Sequence, residues 1–273
     1  MASVVVAVVV TVWALVAGTG TAPAAPPDLP QAMAAIGDSI TQATNADLLR
    51  FGASNPGQSW STGDDTNDPI LSHYERVVRA NGAVAGRNAN LAVSGSTMAD
   101  GPGQATRAVA TRADYVTMLL GANDVCAPTL AAMTRVADFE ASFRQTLGTL
   151  TAGLPAARIY VASIPDIHQV WALHQGNLLA RLIWEWFDIC PPMLASANTD
   201  ADRLMARARN VDFNTVLRTV CAEFSQCRFD GNRVFDHRLT AVEVGIVDFF
   251  HPSIEGLRAL AETTWAGGYW PDA

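Results

Sequence analysis

The sequence is short of positive charge. Its 18 Lys and Arg stand against 26 Asp and Glu, for a formal net charge of -8. Nucleic-acid binding needs clustered basic side chains, and docking on anionic lipid needs a polybasic patch. Neither is present, and no run of like charge or internal repeat stands out. The four cysteines include no CxxC pair, and no His lies at ligand spacing from a Cys, so the usual zinc spacings are missing. No GxSxG occurs, which removes the nucleophile elbow of the α/β-hydrolases. The longest apolar run falls short of the roughly 20 residues that a membrane-spanning helix requires.

What is present fits a folded chain. About half of the residues, 49%, are apolar, enough to exclude general disorder. A length of 273 residues corresponds to one domain or at most two. Residues 4–16 are apolar apart from Thr11, and the small-residue stretch TAPAAPP follows at 21–27. This short apolar core with the cleavage-like Ala22-Pro23-Ala24 predicts a signal peptide over residues 1–25, and hence a secreted protein. No Lys or Arg precedes the apolar run, and an uncleaved anchor is the alternative.

The cysteines, Cys126, Cys190, Cys221 and Cys227, agree with export as disulfides. Four cysteines allow three pairings. Cys221 and Cys227 are near enough in sequence to close a short loop, which would leave Cys126 with Cys190. The other pairings stay open.

Along the chain, short apolar runs alternate with amphipathic stretches. Residues 31–36, 88–93, 115–120 and 158–163 read as buried strands, and 228–234 as a weaker fifth. Residues 68–80, 138–150 and 253–265 carry apolar side chains at helical spacing, with Pro252 near the first turn of the last. This order predicts an α/β fold around a parallel sheet. Such sheets place ligands beyond the carboxyl ends of their strands. Two stretches break the alternation. Residues 51–67 form a long polar loop of the kind that is functional or mobile. Residues 166–226 form a helical insertion containing Trp171, Trp184, Trp186 and Phe187, read chiefly as core aromatics.

Four positions follow the expected strands or turns. Ser39 follows the first strand in GDSIT. A Ser there is ordinarily a helix cap, and it becomes a nucleophile only if a base takes its proton. His251 stands in DFFHPS, three residues after Asp248. An imidazole can act as that base when an acceptor holds its other nitrogen. His73, His168, His174 and His237 lack such a neighbour and read as surface or helix residues. Gly95, in AVSGST, and Asn123, in LLGANDVC, could supply donors to a developing oxyanion. Each also has an ordinary reading as a turn residue.

Taken together, the four blocks resemble those of the SGNH (GDSL-type) hydrolases, in the order Ser39, Gly95, Asn123 and His251 from Gly37 to His251. The resemblance implies a flavodoxin-like three-layer α/β/α sandwich with a central parallel sheet, as one domain over residues 31–273. It implies Ser39 as nucleophile, His251 as general base and then acid, and Asp248 as its orienter. Some members of that family orient the His through a backbone carbonyl instead. It further implies an oxyanion hole made by the N–H groups of Ser39 and Gly95 with the Asn123 amide. It implies no metal or organic cofactor. The signal-like start and the cysteines are similar to those of secreted bacterial lipases and esterases.

The expected activity is hydrolysis of lipid or short-acyl carboxylic esters by a monomer, with no nucleic acid and no stable membrane span. Acyl transfer to a sugar or alcohol would use the same residues, with a drier cleft. A catalytically silent binding protein on this fold is the third reading, and it has no need of all five residues.

Overall fold

The computed structural model describes residue 1, residues 29–47 and residues 51–272. The expected signal peptide lies outside the described residues, apart from Met1.

All five apolar runs form strands: β1 (Met33–Gly37), β2 (Asn88–Asn90), β3 (Tyr115–Leu119), β4 (Arg158–Val161) and β5 (Cys227–Phe229). They make one parallel sheet in the order β2-β1-β3-β4-β5. The inner strands β1 and β3 are buried at every residue. That explains their unbroken apolar pattern, since helices cover both faces of a parallel sheet. The edge strands are shorter than the sequence runs. The second strand ends at Asn90, although the Leu91 and Val93 N–H groups still donate to the Ala35 and Gly37 carbonyls of β1 at 2.8 and 3.1 Å. The chain turns after Phe229, and part of the fifth run coils into a short helix.

The helices are α1 (His73–Ala80), α2 (Gly101–Thr111), α3 (Ala122–Val125), α4 (Val136–Gly153), α5 (His168–His174), α6 (Leu178–Trp186), α7 (Pro191–Leu194), α8 (Asp200–Cys221), α9 (Arg233–Asp236) and α10 (Ile254–Ala266). On one side of the sheet α2 packs on α4, and α4 on α8. Phe139 and Phe213 stack there with ring centroids 4.1 Å apart. On the other side, fully buried His73 of α1 joins Tyr115 of β3 at 2.9 Å and Thr264 of α10 at 2.8 Å. Tyr115 and Thr117, two residues apart on one strand, both point to this second face.

Several boundaries moved for local reasons. The helix expected from residue 68 starts at His73. Pro69 disfavours helical geometry at the residue before it, and Asp68 instead accepts the Ile70 N–H at 2.7 Å. Ser72 then caps α1 in a reciprocal pair with Glu75. Pro252 lies just outside α10, ahead of its cap Ser253. Part of the long polar loop, residues 59–63, packs inward. Trp60 is fully buried and donates from Nε1 to Thr41 at 3.2 Å, and Ser61 pairs with Thr117 at 2.5 Å. In the insertion Trp184 is buried, but Trp186 is 83% exposed and Phe187 is exposed too.

Two disulfides join Cys126 to Cys190 and Cys221 to Cys227. The first ties the segment just after α3 to the start of α7 in the insertion. It closes a span of 64 residues, for which loop-closure entropy gives about 4 kcal/mol of stabilisation. Among the described residues, no helix is long and apolar enough to cross a membrane.

Candidate active site

The strand order reverses direction about β1 and β3, and in doubly wound sheets the ligand crevice opens at that point. The ends of these two strands carry Ser39 and Asn123. Gly37 closes β1 where nothing larger fits. A Cβ there would lie 2.5 Å from the Leu119 carbonyl oxygen and 2.6 Å from the Thr41 hydroxyl. The chain then turns sharply. Asp38 accepts the Ile40 N–H on Oδ1 at 3.0 Å, and Ser39 is left at the top of the sheet, 8% exposed.

The Ser39 hydroxyl donates to His251 Nε2 at 2.7 Å, and His251 Nδ1–H donates to Asp248 Oδ2 at 2.5 Å. The carboxylate thereby keeps the imidazole proton on Nδ1 and leaves Nε2 as an acceptor facing Ser39. Asp248 is 1% exposed and fully engaged. Oδ1 accepts the backbone N–H groups of Phe250 and His251 at 2.9 and 3.0 Å, and Oδ2 also accepts Asn45 Nδ2–H at 2.6 Å. Burial pushes the Asp248 carboxyl up, but the hydrogen bond and charge of His251 and the bond from Asn45 outweigh it. Its pKa falls below the ordinary carboxylate value.

The turn holding Asp248 and His251 is braced from outside. Phe249 sits at φ +53°, a left-handed conformation that a side chain disfavours. Its ring packs on His174 at 5.4 Å, and its carbonyl accepts Trp184 Nε1–H at 3.2 Å. The aromatic insertion therefore supports the turn that holds Asp248 and His251.

Gly95 has φ +83°, a conformation that favours glycine. Among the described residues, neither the Ser39 N–H nor the Gly95 N–H has a hydrogen-bond partner within the protein. Asn123 Nδ2 donates to the Ser96 carbonyl at 2.8 Å, which uses one of its two hydrogens. The second has no partner within the described residues. Three donors thus belong to the segments that meet at Ser39.

Three residues that sequence reasoning passed over hold these parts in place. Asn45, at φ +59°, donates to Asp248 and accepts the Gly52 N–H at 2.5 Å. Buried Gln104 accepts the Gly37 N–H at 2.7 Å, and its amide donates to the Gly37 carbonyl at 2.9 Å and the Ser96 hydroxyl at 3.0 Å. It fastens the Ser39 turn to the Gly95 segment. Asp124 accepts the Met98 N–H at 2.8 Å and anchors that segment at its far end. Burial pushes the Asp124 carboxyl up to about 6. Asp38 is raised further, to about 7, by burial against the weaker pull of the Ile40 N–H and of His251, with Asp124 adding to the rise. A buried oxygen of each carboxyl, Asp38 Oδ2 and Asp124 Oδ1, has no partner.

The remaining histidines stay outside this cluster. His73 is sequestered in the core rather than at the surface, and His237 pairs with Glu243 at 3.0 Å. Among the described residues, no group of three or more His, Cys, Asp or Glu is arranged to hold a metal ion.

No curated protein matches the sequence. Solved structures share the fold. A provisionally assigned GDSL-like lipase from Parabacteroides merdae superposes with a TM-score of 0.54 at 16% identity, covering 86% of this chain and 94% of its own. An extracellular lipase from Streptomyces rimosus gives 0.50 at 16% identity, covering 86% and 99%. A family 3 carbohydrate esterase from Clostridium thermocellum gives 0.50 at 12% identity, covering 88% and 94%. The model of the GDSL-like lipase/acylhydrolase family matches residues 35–259, a span that holds Ser39, Gly95, Asn123, Asp248 and His251. The chain belongs to the GDSL-like lipase/acylhydrolase family.

Proposed function

We propose that the protein hydrolyses carboxylic esters through an acyl-enzyme on Ser39. The observation that carries this reading is the unbroken relay from Asp248 through His251 to the Ser39 hydroxyl, beside the unpartnered N–H groups of Ser39 and Gly95.

Ser39 Oγ attacks the ester carbonyl carbon as its proton passes to His251 Nε2. The carbonyl oxygen becomes an oxyanion and accepts hydrogen bonds from the Ser39 and Gly95 N–H groups and from the free hydrogen of Asn123. Donors fixed in advance for charge that develops only in the transition state are commonly the largest catalytic contribution. Asp248 remains ionised and stabilises the imidazolium. The tetrahedral adduct collapses, the C–O bond to the alcohol breaks, and His251 returns the proton to the leaving oxygen. Water then gives a proton to Nε2 and attacks the acyl carbon. Collapse of the second adduct releases the carboxylic acid and restores the Ser39 hydroxyl.

Secretion belongs to the same reading. Two disulfides persist most readily in an oxidising compartment, and the apolar stretch at 4–16 suits an export signal.

The test is Ser39→Ala assayed on p-nitrophenyl acetate, with the circular-dichroism melt as a control for folding. Turnover is expected to vanish while the melt is unchanged. Wild-type turnover in the variant would sink the proposal. Added methanol, with product partition measured, would report acyl transfer if the methyl ester dominates in dilute alcohol.

A further inference from the structure

Beside the Ser39–His251 pair lies a cavity of about 80 Å³. Its wall includes Ile40, which follows Ser39, Ala122, which precedes Asn123, and His251 itself. Phe250, Val170 of α5 and Leu260 of α10 are among the apolar residues that line it. It opens where ligands of such sheets gather, beyond the ends of β3 and β4. Two carboxylates reach the wall, and both are already paired: Asp166 with Arg207 at 2.8 Å and Glu243 with His237 at 3.0 Å. Neither is left to recognise a polar ligand.

We infer that this cavity is a specificity pocket for a short alkyl arm of the ester, an inference that rests on the ester-hydrolase reading above. The volume sets the length. An apolar cavity of about 150 Å³ holds benzene, with six carbons, so about 80 Å³ holds about three. Three carbons beyond the reacting carbonyl correspond to a butyryl group on the acyl side, and three beyond the ester oxygen to a propyl group on the alcohol side. Long acyl chains exceed it.

Two ester series on the full chain test this and separate the two sources of the arm. One is p-nitrophenyl acetate, butyrate, hexanoate and octanoate; the other is methyl, propyl and pentyl acetate. In one series kcat/KM is expected to rise about 15-fold from the one-carbon to the three-carbon arm, at about fourfold per buried methylene, and to fall beyond it. Val170→Trp fills the pocket and is expected to bring that ratio near 1. Val170→Ala enlarges it and is expected to move the optimum one or two carbons longer. Ratios within one variant cancel any loss of folded protein. The inference is overturned by two flat series, by a rise continuing to octanoate, or by ratios that neither variant changes. Those results with Ser39-dependent turnover of the shortest ester would remove the pocket alone. Turnover that survives Ser39→Ala would remove the ester-hydrolase reading.

Discussion

Replacing Asp38 with Asn tests the electrostatics of the turn that carries Ser39. The Asp38 carboxyl is fully buried and Oδ2 has no partner, so burial raises its pKa from 3.8 to about 7. A raised carboxyl pKa means that the folded state holds a proton that the unfolded state has released across this window. Its contribution to stability is present below about pH 4 and is lost as pH rises to about 7. A shift of about three units corresponds to on the order of 4 kcal/mol, more than half of which falls between pH 5 and pH 8. Asn preserves the shape and keeps an Oδ1 acceptor for the Ile40 N–H, but it does not titrate. Its stability relative to wild type is therefore expected to improve by roughly 2–3 kcal/mol on going from pH 5 to pH 8. Urea unfolding followed by tryptophan fluorescence at both pH values measures this difference, and titrations of groups that do not act on Asp38, such as that of Asp68, largely cancel. The same relative stability at pH 5 and pH 8 would show that Asp38 folds ionised, and would refute the reasoning.

Asn123→Ala is expected to lower turnover by about 10²–10³, as loss of an oxyanion donor does; steady-state kinetics showing a loss below threefold would take Asn123 out of the hole. Asn45→Ala removes a charge-assisted hydrogen bond from buried Asp248, worth about 1.5–3 kcal/mol. It is expected to lower kcat at least tenfold with little change in KM, and a change confined to KM would place Asn45 against substrate instead.

The sequence displayed the sheet because its inner strands are covered on both faces. Residues 115–119 therefore read as one buried strand, apolar at every position but Thr117. Helix α2 was hidden for the opposite reason. Its first turn is Gly101-Pro102-Gly103-Gln104, a composition that reads as loop, yet Pro is tolerated in a first helical turn because its missing N–H has no intrahelical partner. The 51–67 loop read as functional or mobile because it is long and polar. Its Ser59, Ser61 and Thr62 are buried, and Ser61 is satisfied by Thr117 of the sheet. The chemical side chains were visible because each sits in a short block after a strand or in a turn. Their supports were invisible because they act over long separations. Asn45 reaches Asp248 across 203 residues, and Gln104 reaches Gly37 across 67. No local spacing encodes such contacts.

The central claim is that Ser39 carries the acyl group between the two half-reactions. Mixing the protein with excess p-nitrophenyl butyrate, quenching in acid within milliseconds and mapping peptides by mass spectrometry tests it directly. A butyryl adduct on the peptide containing Ser39, absent in Ser39→Ala and formed with a burst of p-nitrophenol, is the expected result. Turnover without any adduct on that peptide, or an adduct on another residue, would contradict it.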